Sequence, residues 1–503
     1  MSIASEISRL LQAKADIKIA IEGKGVTVSG SATLDDYSDL IDAIQQGSEP
    51  NLQSKSVSIT ENGTTTVEPD TGYDGLSDVN VSVNVQGGGG ASSGDDVRFL
   101  DYDGTILHSY SASDFLALTE MPENPSHEGL TAQGWNWTLA DAKEQVQEMG
   151  SCDIGQNYIT DDGKTRLYIE LVEGRLSPYL GIGVKGTAEI DWGDGSAKEI
   201  LTGQSQSVAI YRQHNYSEAG DYCITIEPSK GINDRIGILG TSNNTCILRK
   251  DSTDASYIHG VYSNAIKRIE LGSNIVFGLY GLKNCYSLST ITIPKGIACG
   301  DYAFDFCESL KGVVIGDGVN SIGACAFRNC ASFLFVSIPK SVKTIGNNAF
   351  NNCYPIKSLV LPFGVTSCGN VCFGGCSSLG SFVIPSGLQG SLNATILANC
   401  HALKEVTIPT GITSLSNSVL NGCYSLANIT IPESVTSIGN YAFSSCYGVA
   451  EYHFKSTTPP TLGGTSVFNS IPSDCKIYVP AESLSAYKSA DKWSTHASKM
   501  VGE

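Results

Sequence analysis

The chain has 503 residues and a mass of 53.1 kDa, room for three or four domains at roughly 100–200 residues each. Hydrophobic residues make up 41% and charged residues 17%, which excludes a disordered chain or a coiled-coil rod, and 54 Gly against 4 Met favours β structure with many turns. The net charge of −19 sits in the front half, with 5 basic and 13 acidic residues over 1–86, 12 and 24 over 87–250, and 15 and 14 over 251–503; this argues against nucleic acid and anionic membranes as partners.

Residues 1–47 predict a short helical segment. Ile3, Ile7, Leu10, Ile17 and Ile21 follow a 3.5-residue heptad in which Lys14 takes one seam position. Such a seam either oligomerises, the polar residue fixing register and copy number, or packs as an amphipathic helix on a local domain. The opening MSIASEISRLLQAKADIK is charged throughout and lacks the apolar centre of a secretory signal. Thr33 with Asp36 caps a second helix that carries Leu34, Tyr37, Ile41 and Ile44 on one face. Residues 51–86 alternate at period two around ENG and DTGYDG turns, which predicts a small antiparallel β unit. GGGGASSG at 87–94 reads as a flexible linker. No apolar run approaches the roughly 18 residues of a membrane span, so no membrane insertion is expected.

Two of these segments, ASEISRLLQAKADIKIAIEGKGVTVSGSATLDDYSDLIDAI and ITENGTTTVEPDTGYDGLSDVNVSVNV, resemble segments that open tail-fibre and other virion proteins of bacteriophages infecting gut bacteria. The resemblance implies a virion-anchoring end, with other tail or baseplate proteins as partners. Fibre precedent and the heptad seam together imply a homotrimer.

Residues 95–164 predict an α+β domain with one helix capped at Ser113 and another capped by Thr138, with Asp141 three residues on, and stopped by Gly150. Trp135 and Trp137 read as buried anchors in preference to a ligand platform. This stretch resembles the middle of gut-phage fibre proteins that end in leucine-rich repeats. Over 165–250, AEIDWGDGS and HNYSEAGDYCITI resemble the PKD-type immunoglobulin-like β-sandwich at Asp191, Trp192, Gly193, Asp194, Gly195, His214, Tyr216, Gly220 and Tyr222. That resemblance implies an inward Trp and Tyr, a D-G hairpin turn, and a spacer or adhesion module. Asp191 and Asp194 either form the turn or hold calcium, the turn being the preferred reading.

From about 260 to 450 a repeat of about 23 residues takes over. Cys285, Cys307, Cys330, Cys353, Cys376, Cys400, Cys423 and Cys446 fall at intervals of 22 to 24, each followed three residues later by an apolar side chain. Phe304, Phe327, Phe350, Phe373 and Phe443 precede their Cys by three; Ile396 and Val419, four before theirs, fill the place in two turns. Runs such as TITIP, FVSIP and EVTIP supply one parallel strand per turn, ended by a Pro without an amide donor. Segments such as TIGNNAF predict a short helical piece carrying the Phe inward. One turn cannot bury its own apolar positions, whereas stacked turns build a continuous ladder. The pattern, seen best in LANITIPESVTSIGNYAFSSC at 426–446, resembles the BspA-type leucine-rich repeat, and 451–503 resembles the cap that ends such arrays. The fold class is therefore multidomain and mainly β: a helical oligomerisation segment, a small β unit, a PKD/Ig-like sandwich region and a C-terminal solenoid.

The ladder cysteines read as small interior hydrophobes and not as metal sites or disulfides. Cys368, Cys372 and Cys376 have a spacing that zinc accepts, but no fourth ligand follows in sequence. Gly181, Gly183 and Gly186 spell GxGxxG ahead of a strand, not a helix, so no dinucleotide site is expected. Seven scattered His and the absence of a Walker, HExxH or GxSxG motif predict no enzyme and no cofactor. Tyr286, Tyr354, Tyr424 and Tyr447, each directly after a ladder Cys, line one edge of the slab; they either form a sugar-stacking stripe or cover the short helices. The expectation is a virion protein made in the host cytoplasm, a tail fibre that binds a host surface glycan or protein through its solenoid. A bacterial surface adhesin and a capsid head fibre are the alternatives.

Overall fold

The computed structural model describes residues 96–229, 234–238, 247–250, 262, 264–277 and 279–503, together with the backbone of two strands nearer the N-terminus. The chain divides into two compact units, Met1–Gly94 and Asp95–Glu503. In the first, β1 (Leu52–Thr60) and β2 (Gly75–Asn84) pair parallel, from Leu52↔Gly75 to Thr60↔Asn84. The expected antiparallel unit is thus corrected. Between Thr60 and Gly75 the sequence has the dozen or so residues that a parallel crossover needs. The seam residues Ile3, Ile7, Leu10, Lys14, Ile17 and Ile21 and the helix after Thr33 lie outside the described residues.

The second unit opens with an α+β lobe. Strands β3 (Val97–Leu100), β4 (Ile106–Tyr110), β5 (Leu130–Trp135) and β6 (Cys152–Thr160) form a sheet in the order β4-β3-β6-β5. Helix α1 (Ala112–Ala117) is capped by Ser111 and not Ser113: the Ser111 Oγ accepts from the Asp114 N–H at 3.2 Å. Ser111 holds the extended backbone that an N-cap needs, with φ −66° and ψ 159°. Helix α2 (Leu139–Met149) starts at Thr138, whose Oγ1 accepts from the Asp141 N–H, and stops at Gly150 with φ +76°. Trp135 and Trp137 are buried.

The next strands are β7 (Thr165–Leu171), β8 (Tyr179–Asp191), β9 (Glu199–Gln213), β10 (Gly220–Pro228), β11 (Arg235–Ile238) and β12 (Leu248–Arg249). A separate two-sheet sandwich over 165–250 is not what their hydrogen bonding builds. They join β13 (Ile266–Glu270), β14 (Ile275–Phe277) and β15 (Thr290–Thr292) in one nine-stranded sheet, ordered β14-β11-β8-β10-β7-β13-β15 with β9 and β12 on β8. β7 lies antiparallel to β13, and β11 parallel to β14, so this sheet meets both strand rows of the solenoid at their first turn. It acts as an N-terminal lid, covering edges that would otherwise stay unpaired. Trp192 and Tyr216 pack inside it, and the Tyr216 hydroxyl donates to the Trp192 carbonyl at 3.0 Å.

The solenoid turns then contribute short strands in two rows, the turn after Cys353 supplying none to the first. One row runs through 312–314, 335–337, 381–383, 405–407, 428–431, 451–454 and 476–479. The other runs through 321–322, 344–345, 367–368, 390–392, 412–415, 437–438 and 461–462. The third side is not helical, contrary to expectation. Its N–H groups donate along the stack to the next turn, as in Tyr302 to Ala324 O, Phe304 to Ala326 O and Phe306 to Arg328 O. Alternation with left-handed residues makes this possible. The residue five before each ladder Cys has φ between 55° and 62°, from Tyr280 to Tyr441, and the residue just before it is left-handed too, as at Asn329, Asn352 and Asn399. A run that reverses handedness cannot make i→i−4 bonds, so its donors point along the axis.

Candidate recognition edge

Inside the stack, Phe304, Phe327, Phe350 and Phe373 form a column with ring centroids 5.2, 5.4 and 5.8 Å apart. The ladder places Leu397 and Leu420 in the next two turns, not Ile396 and Val419. The Cys423 thiol donates to Leu397 O and the Cys446 thiol to Leu420 O, both at 3.3 Å, as the Cys353 thiol does to Phe327 O at 3.1 Å. Ile396 and Val419 occupy the place of Ala326 and Ala349, where a larger neighbour offsets the change from Phe to Leu. The extra residue of this turn is absorbed beside Gly390, at φ +79°, where the strand register shifts.

These bonds also refine the cysteine reading. Each thiol from Cys307 to Cys446 donates to a carbonyl of the preceding turn, so the side chain is a buried donor as well as a small hydrophobe. Burial pushes the Cys376 and Cys446 thiols up to about 12, which keeps them protonated and able to donate. Cys368 and Cys372 take the places of Ile345 and Ala349, and burial raises Cys372 as well. Among the described residues no group of three or more metal-ligating side chains converges. Asp191 and Asp194 both accept turn N–H groups, from Gly193 and Ser196 at 3.0 Å, and Asp194 also pairs with His214 at 2.7 Å.

The α+β lobe settles which strand face is open. Asn136 donates to Ile315 O at 2.8 Å, Trp137 to Ile338 O at 3.1 Å, Asn157 to Ile293 O at 2.9 Å and Gln145 to Leu361 O at 2.9 Å. The Phe363 N–H returns a bond to Gln145 Oε1, and Lys340 pairs with Asp141 and Glu144. Strands 312–314 and 335–337 are accordingly buried throughout, whereas 381–383, 405–407 and 428–431 alternate with exposed positions.

The opposite fate befalls the residues after the ladder Cys. Tyr354, Tyr424 and Tyr447 are 47%, 42% and 57% exposed, so no short helix lies beneath them. They do not form one stripe of four. Tyr424 stacks on Tyr447 with centroids 5.2 Å apart, and on its other side it stacks on His401 at 4.3 Å with ring planes 4° apart. The intervening turns separate the remaining two: Ser377 stands between Tyr354 and His401, and Glu308 and Ala331 stand between Tyr286 and Tyr354. His401 escaped the tyrosine pattern; its signal was its place directly after Cys400. Stacked rings hide one another's faces and present their edges, so the column offers open faces only at its two ends.

Residues 259–331, 297–423 and 389–483 match the BspA type leucine rich repeat region in six copies. The chain therefore carries BspA-type leucine-rich repeats in a β-solenoid. Among solved structures, a leucine-rich repeat protein from Bacteroides ovatus ATCC 8483 is 27% identical over 42% of this chain, with a TM-score of 0.39; the match spans 55% of that protein's length. The T. pallidum leucine rich repeat protein is 23% identical over 36% of this chain and 83% of its own, at 0.29. A leucine rich cell surface protein from Faecalibacterium prausnitzii A2-165 is 23% identical over 40% and 68%, at 0.25. No curated protein matches the chain.

Proposed function

We propose that this is an adhesion protein that binds a bacterial cell surface through the ring-bearing edge of its solenoid, and that it does so as the tail fibre of a bacteriophage. The observation that carries the adhesive reading is the His401–Tyr424–Tyr447 column, with Tyr424 and Tyr447 exposed, set on the backbone ladder of the solenoid. Exposed aromatic rings on a rigid frame are costly to leave in water without a partner. The virion reading is supported by the fibre-like wording of residues 1–86 and by the Gly/Ser run at 87–94. Residues 1–86 then attach to tail or baseplate proteins, as a trimer, and the solenoid meets the host. No catalytic constellation is part of this proposal.

Immunogold electron microscopy of virions from the source, with antibody against residues 265–450, tests the placement. Gold at the tail tip is the expected result. Gold on the head reassigns the protein to capsid decoration, and gold on bacterial cells without virion label makes it a bacterial adhesin.

A further inference from the structure

The ring column repeats at 4.3 and 5.2 Å, close to the ~4.8 Å spacing of stacked strands. Tyr354 stands in the same place of its turn as His401 does in its own: the Ser378 N–H donates to Tyr354 O, and the Ser425 N–H to His401 O, both at 3.1 Å. Between them lies one turn, that of Ser377, whose carbonyl accepts from Ala402 at 3.0 Å in the same ladder. The backbone is therefore in register, the added residue of this turn being taken up at Gly390 on another side. Two turns separate Tyr354 from His401, about 10 Å. The column lacks one ring at Ser377, and a spacing of about 10 Å leaves room for one ring between its neighbours.

We propose that this gap is a binding slot for a single pyranose, held between the face of Tyr354 and the face of His401 with Ser377 as its floor. The proposal rests on the adhesive reading and names its ligand class. A pyranose suits the slot because its C–H faces stack on aromatic rings while its equatorial hydroxyls point outward. The Ser377 and Ser378 hydroxyls and the His401 ring nitrogens are the hydrogen-bonding groups nearest those positions in sequence. Positions 377, 378 and 401–403 carry no charged side chain, and exposed Lys357 and Lys404 stand three residues beyond Tyr354 and His401 in the two flanking turns.

The test uses the full chain and saturation-transfer NMR with methyl glycosides of glucose, galactose, mannose and N-acetylglucosamine. At least one is expected to receive saturation on its ring C–H protons. Ser377→Tyr supplies the missing ring and is expected to weaken that binding at least tenfold while leaving the thermal transition as high as in the parent. Tyr354→Ala and His401→Ala are expected to weaken it comparably. Unchanged binding by Ser377→Tyr overturns the slot, as does saturation of N-acetyltyrosinamide where no pyranoside responds, which makes the occupant a protein aromatic ring. Cell adhesion separates this failure from that of the broader reading. If the parent and Ser377→Tyr hold host cells equally, the slot is wrong and adhesion stands; if the parent holds no cells, the adhesive reading itself falls.

Discussion

Val371 is the residue whose sequence and conformation conflict most. It sits at φ +56°, where Asn348 stands one turn earlier, and a β-branched side chain is disfavoured there by about 1–2 kcal/mol. Val371→Asn should raise stability by about 1 kcal/mol in urea unfolding; a loss would mean that Val packing outweighs the strain. Cys353 carries the opposite lesson. Its thiol donates to Phe327 O in a buried ladder, so Cys353→Ala should cost about 1–3 kcal/mol through a small cavity and a lost bond. A change under 0.5 kcal/mol would return the ladder Cys to a plain space-filler. At Asp194, burial works to raise the carboxyl, but the bonds from Ser196 and His214 outweigh it and hold the group at about 2 against an ordinary 3.8. A carboxyl depressed on folding stabilises the protein above about pH 4, and that contribution drains away as pH falls toward 2. Asp194→Asn should flatten the acid branch of the stability curve in that window; an unchanged slope would contradict the pairing.

At the scale of elements, buried hydrogen bonds tie the lobe to the early turns. Gln145 is buried and bonds Leu361 O, Ser151 O and the Phe363 N–H, so Gln145→Ala takes a partner from three backbone groups and should cost about 1–3 kcal/mol. The lobe and the repeats should then still unfold in a single transition; two separated transitions would show independent domains. Here the limits of reading sequence are physical. The repeat was legible because a 23-residue period writes every interior position many times over. The lid strands β7 to β12 and the lobe contacts were not, since β7 meets β13, and Asn136 meets Ile315, across sequence separations that no local pattern encodes. The third side was misread as helical because AF runs look apolar and compact, whereas handedness at positions such as Asn348 and Tyr441 is set by stacking on the neighbouring turn. At the recognition edge, three tyrosines were found by their place after Cys. The grouping of Tyr424 and Tyr447 with His401 depends on ring stacking that the sequence does not write, and Ser377 keeps Tyr354 out of it.

Across the whole second unit, covered and open surfaces alternate with purpose. The lid closes the N-terminal end, the lobe covers the strands of the early turns, and 451–503 closes the far end, with Trp493 buried and its indole N–H donating to Pro460 O at 2.7 Å. The exposed rings of Tyr354, Tyr424 and Tyr447 are left on a frame with little freedom to rearrange, which favours binding without a large ordering penalty. The most direct measurement of the central claim is adhesion of the full chain to intact gut bacterial cells by flow cytometry, parent beside Tyr424→Ala/Tyr447→Ala. Saturable binding by the parent is expected, and the ring-edge variant should lose it at least tenfold while keeping its thermal transition. Equal binding by the two proteins would contradict it.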